Sequence, residues 1–188
     1  MSGSVGMELG VKESHTSADT QARLAMPEWI APGRVLLKVE AHAAGALSIR
    51  EGGGSIAFNK GITCFPLDTI SSPELELCHG PEVKSLGLTR VPDVRIRARQ
   101  PFACPVVCGM ASIPSRVDVL RVAVDSMLPQ VDHLFVYLNG FDWVPEFLSS
   151  DRITIFRSGE YGDYRDNSKY FGLRCLEQDA YFFSVDDD

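Results

Sequence analysis

FACPVVCGMASIPSRVDVLRVAVDSMLPQVDHLFVYLNG, residues Phe102–Gly140, decides the fold. Its opening, through Val106, Val107 and Met110, is a continuous apolar run. Such a run suits a strand buried on both faces, the mark of a parallel sheet. SRVDVLRVAVDSML then places Val117, Leu120, Val124, Met127 and Leu128 on one face of a helix. Ser115 and Asp118 fit a capping box in its looser form, and Pro129 stops the helix. HLFVYLNG reads as a strong strand ending in an Asn-Gly turn.

Downstream, RITIF is another strand, NSKYFGLRCLEQ reads as helical from about Ser168, and AYFFSV is a fourth strand. Strand, helix, strand, strand, helix, strand is a β/α plan, and it predicts a crevice at the strands' C-terminal ends. Upstream, the character changes. RVLLKVEAHA, ALSIRE, SIAFNKGITCF, LELCHG and VKSLGLTRV are short β-branched or alternating segments separated by turn residues. They predict a small antiparallel sandwich or barrel, with Val91–Pro101 as a final strand or an extended linker. The first residues are rich in Ser, Gly, Thr and charge and read as a flexible leader. The expected organisation is therefore a leader over 1–26, a β-rich domain over 27–100 and an α/β region over 101–188.

The 188 residues carry a net charge of −7, a pI near 5.1 and a mean hydropathy of −0.01. An acidic chain without a basic run is not drawn to nucleic acid or to an acidic membrane. No segment approaches the roughly 20 apolar residues of a membrane span, and the N-terminus lacks the apolar core of a signal peptide. A cytoplasmic location is the expectation. The five cysteines form no C-x-x-C pair, which argues against zinc and for reduced, buried thiols. Cys108 has no His near it in sequence, and Gly52–Ser55 (GGGS) lacks the strand-to-helix setting of a dinucleotide loop.

Candidate chemistry gathers after the strands of the α/β region. Ser112, Pro114 and Arg116 follow the first, and Asn139 follows the second. Asp163, Arg165, Asp166, Asn167 and Lys169 follow the third, and Asp186, Asp187 and Asp188 the fourth. A terminal acidic triplet is often a solvated tail. Here it directly follows a buried-looking strand, and Asp186 and Asp188, two apart, face one side of an extended chain. Two carboxylates on one side suit Mg²⁺ or Mn²⁺, which would also relieve their mutual repulsion. Arg165 and Lys169 sit at an expected helix start, where a cation makes sense if an anion binds there. A surface pair of Lys169 with Asp163 or Asp166 is the alternative, as is an Asn139 that serves only its own turn.

VVCGMASIPSRVDVLRVAVDSMLPQVDHLFVYLNGF, GDYRDNSKYFGL and FFSVDDD, taken in that order, resemble the opening of a GT-A fold, family 2-like glycosyltransferase. The resemblance covers about Pro105–Asp188 and implies a partial, Rossmann-like GT-A sheet behind a sandwich-like accessory domain. It implies that Ser112, Pro114 and Arg116 lie against the nucleotide of a nucleotide-diphosphate-sugar donor, with Asn139 near the base or ribose. It further implies that Asp163 contacts the base, Asn167 or Lys169 the diphosphate, and Asp186 the ribose and metal, with Asp187 beside it. Asp188 would ligate the bridging Mn²⁺ or Mg²⁺. Family members continue past this point with the acceptor site and catalytic base, so the resemblance implies an inactive donor half for an unknown glycan or other acceptor. Two rivals are a nucleotidyltransferase, for which ASIPSR is a poor phosphate loop, and a non-catalytic carbohydrate-binding protein built on the β-rich domain.

Overall fold

A computed structural model describes residues 11–16, 19–25, 35–50, 54–67, 74–92, 94–98 and 104–187. The chain divides into two compact units, Met1–Val91 and Pro92–Asp188.

The first unit is all β. Strands β1 (Val11–Thr16), β2 (Asp19–Ala25), β4 (Gly45–Ile49), β5 (Ser55–Phe58) and β7 (Glu74–His79) form an antiparallel sheet in the order β1-β2-β7-β4-β5. Strands β3 (Val35–Ala41), β6 (Gly61–Pro66) and β8 (Val83–Arg90) form a second, in the order β6-β3-β8. Alternation drives both. In β3, Leu37, Val39 and Ala41 turn inward while Lys38 and Glu40 are half-exposed, and Glu40 accepts hydrogen bonds from Lys84 and Ser85 of β8. Leu24, Leu47, Leu75 and Leu77 of the first sheet share one core with Leu37, Val39 and Leu86 of the second, which makes the unit a sandwich.

Two expectations change here. SIAFNKGITCF is not one strand, because the chain breaks at Gly61, whose φ of +101° suits glycine, and passes from one sheet to the other. Within the expected leader, β1 and β2 are paired strands, and Ala22 and Leu24 are buried in the core. Their polar neighbours mask an alternation that presents one apolar face. Residues 1–10 of that leader and Gly52–Gly53 of GGGS lie outside the described residues.

The second unit is built on β9 (Val106–Ser112), β10 (His133–Leu138), β11 (Ile153–Arg157) and β12 (Tyr181–Ser184), all parallel, in the order β11-β10-β9-β12. Every residue of β10 is buried, as a strand covered on both faces requires. Helix α1 (Val117–Met127) covers one face through Leu120 and Val124, against Met110, Leu134, Val136 and Leu138. Its first turn has no side-chain cap, so the expected Ser115–Asp118 capping box does not form; a 3₁₀ turn over Pro114–Arg116 leads into it instead.

The other face is covered by the one-turn helix α2 (Ser158–Tyr161) and by 3₁₀ turns over Arg165–Cys175. Tyr137, Phe156, Tyr161 and Phe171 interlock there edge to face, and the Tyr137 hydroxyl donates to the Gly162 carbonyl at 2.6 Å. The expected α-helix from Ser168 is absent because the backbone lies too close to the sheet. A Cβ on Gly109 would come 2.0 Å from the Lys169 carbonyl oxygen, and one on Gly172 would come 2.3 Å from Phe135. Residues 94–98 are neither a sandwich strand nor a linker. They belong to this second unit, with Ile96 buried and its carbonyl accepting from Gln178 at 2.7 Å. All five cysteines are thiols; Cys64 is buried in the first unit and Cys108 in the second. Among the described residues, no helix is long and apolar enough to cross a membrane.

Candidate functional site

From β9 the chain steps one way, to β10 and β11, and then crosses back to β12 on the other side of β9. That reversal makes a topological switch point between β9 and β12, the place where open parallel sheets hold a crevice. A cleft of about 560 Å³ occupies this place. Ser112 and Arg116 line it from the end of β9, Asn139 from the end of β10, and Asp186 and Asp187 from the end of β12. Asp163, Arg165, Asp166 and Lys169 close it from the loop after α2.

The loops are tied to one another. The Asn139 side-chain amide donates to the Arg165 carbonyl at 3.4 Å, and its Oδ1 accepts from the buried Ser168 hydroxyl at 3.2 Å. Asn139 therefore bridges two loops rather than serving only its own turn. The Gly140 amide donates to Ser158 Oγ at 2.8 Å. Asp163 Oδ1 accepts the Arg165 backbone N–H at 2.8 Å and closes an Asx turn, in which Arg165 takes a φ of +53°. A left-handed backbone is costly for a residue with a Cβ, and these two hydrogen bonds hold it on either side.

The carboxylates are paired with cations of the chain. Lys169 Nζ donates to Asp186 Oδ1 at 2.7 Å; this hydrogen bond raises the Lys169 pKa and lowers that of Asp186. Arg116 Nη1 contacts Asp187 Oδ1 at 2.9 Å. Asp186 is largely exposed, with 71% of its side chain accessible, whereas Asp187 is buried at 4%. The second oxygen of Asp187, Oδ2, is also buried, and it has no hydrogen-bond partner among the described residues.

Of the residues singled out from sequence, Ser112, Arg116, Asn139, Asp163, Arg165, Asp166, Lys169, Asp186 and Asp187 line the one cleft. Pro114 instead starts the turn beneath it, and Asn167 is exposed and outside the lining. Asp188 lies outside the described residues. The expected Mn²⁺ or Mg²⁺ site at Asp186 and Asp188 is corrected. Among the described residues no group of three or more His, Cys, Asp or Glu is placed to hold a metal ion. Asp186 takes its counter-charge from Lys169, and its neighbour Asp187 takes its own from Arg116. Ala111 and Ile113, which were not singled out, complete the lining. Arg165, expected at a helix start, instead sits in the Asx turn set by Asp163 two residues before it.

No protein-family model matches the chain, and a search of curated proteins returns no match. Among solved structures, the siderophore-interacting protein SipS from Aeromonas hydrophila is 13% identical, with a TM-score of 0.28, over 95% of this chain and 77% of that one. The siderophore-interacting protein from Acinetobacter baumannii is 10% identical, with a TM-score of 0.25, over 95% and 75%. An NADH-dependent reduced ferredoxin-NADP oxidoreductase is 10% identical, with a TM-score of 0.29, over 97% and 69%. No family model or curated relative supports a glycosyltransferase, so the expected family, its sugar-transfer activity and its metal cofactor are corrected, and neither rival activity gains support. At such TM-scores the three structures assign no fold or activity to this chain.

Proposed function

We propose that the second unit binds a nucleoside phosphate in the cleft between β9 and β12. The observation that carries this reading is the coincidence of the cleft with the switch point of an open parallel sheet, where such sheets hold their ligands. The lining supports it. Arg165, beside the paired Arg116 and Lys169, suits phosphate oxygens, while Asp163 and Asp166 can accept from ribose hydroxyls or base N–H groups.

Isothermal titration of the full chain with ADP, GDP, UDP and CDP tests it. At least one should bind saturably, and Asn139→Ala, which unties the two loops, should weaken it about tenfold. EDTA should leave the affinity unchanged, because the chain's own cations neutralise Asp186 and Asp187. Absence of binding by all four nucleotides would overturn the reading.

A further inference from the structure

We infer that Arg165 is the residue of the cleft that receives the ligand's phosphate; the inference rests on the nucleoside-phosphate reading and names its anion contact. Charge accounting singles it out. Lys169 is committed to Asp186 and Arg116 to Asp187, at 2.7 and 2.9 Å. Arg165, the third cation of the lining, is exposed and makes no ion pair among the described residues. The Asp163 oxygen nearest in sequence is engaged with the Arg165 backbone N–H rather than its guanidinium. A planar guanidinium with unused donors matches phosphate oxygens in a bidentate way that a committed ammonium cannot.

The backbone gives an independent argument. At a φ of +53° glycine would fit without strain, and nothing in the turn's hydrogen bonds requires a side chain at this position. The Asx turn and the Asn139 amide hold Arg165 in the unfavourable region, and so place its Cβ at the cleft. The remaining acceptors then explain why a bare anion is not the whole ligand. Asp163 and Asp166 line the same space and favour a molecule that adds O–H or N–H donors to its phosphate.

The test compares wild type, Arg165→Gly and Arg165→Lys in the full chain, by isothermal titration with pyrophosphate, with the nucleoside diphosphates and with the parent nucleosides. Arg165→Gly should melt at the same or a higher temperature than wild type, which verifies folding and reads the relief of strain. It should bind pyrophosphate and the diphosphate about ten- to a hundredfold more weakly and the nucleoside unchanged. Arg165→Lys should recover part of the loss. Pyrophosphate binding that depends on Arg165, with no nucleotide bound, would keep the anion contact and reject the nucleoside reading. Equal affinity of Arg165→Gly and wild type for pyrophosphate, or no pyrophosphate binding by wild type, would overturn the inference.

Discussion

His133, the first residue of β10, is buried with Nε2 2.8 Å from Thr154 Oγ1 and its ring packed 5.0 Å from Phe135. Burial lowers its pKa from 6.5 to about 4; Arg152 adds to the lowering and Asp151 opposes it. The folded state thus keeps the imidazole neutral where the unfolded chain would protonate it. Between pH 6.5 and about 4 the unfolded state holds the extra proton, so stability falls as the pH falls through that window. The loss should approach about 3 kcal/mol at its acid end. Urea denaturation at a series of pH values reads it, and His133→Gln should flatten that part of the profile. An unchanged slope in the variant would reject the assignment. Asp186 carries the same sign at lower pH. Its pKa is lowered by Lys169, so its contribution is present above the ordinary carboxylate range and is lost only below it.

Among the elements, the contact of β9 with the 3₁₀ segment over Arg165–Cys175 is the tightest constraint on the site, because Lys169 sits at its closest point. Gly109→Ala would drive a methyl into the Lys169 carbonyl and should cost about 1–3 kcal/mol. Gly159→Ala, in α2, meets nothing within 4 Å and should be neutral or slightly stabilising. Chemical denaturation of the two variants decides it, and equal effects would mean that the segment is not held as described. The parallel strands were legible in the sequence because a strand covered on both faces must be apolar throughout, as β10 is. The rim was legible too, since polar residues that follow parallel strands collect at one edge, although β12 itself is half-exposed rather than buried. What the sequence did not reveal was pairing. The spacing of Asp186 and Asp188 suggested a shared cation, but the partners of Asp186 and Asp187 are Lys169 and Arg116, brought close only by the parallel crossover.

Across the whole molecule, each unit closes a hydrophobic core of its own, one around Leu37 and Leu77, the other around Leu134 and Val136. Leu37→Ala and Val136→Ala, both at fully buried positions, should each cost about 2–5 kcal/mol in the unit that carries them. Native-state hydrogen exchange should then find faster amides in β3, β6 and β8 for Leu37→Ala, and in β9, β10 and β11 for Val136→Ala. Acceleration in both groups for either variant would show one cooperative core instead of two. The buried thiols extend this to a chemical clock. Burial pushes Cys64 up to about 12 and Cys108 up to about 11, so neither is a thiolate while its unit stays closed. An alkylating reagent at neutral pH would therefore mark each of them at the rate its own unit opens. With no added label, the chain carries one timer for the sandwich and another for the sheet that builds the cleft.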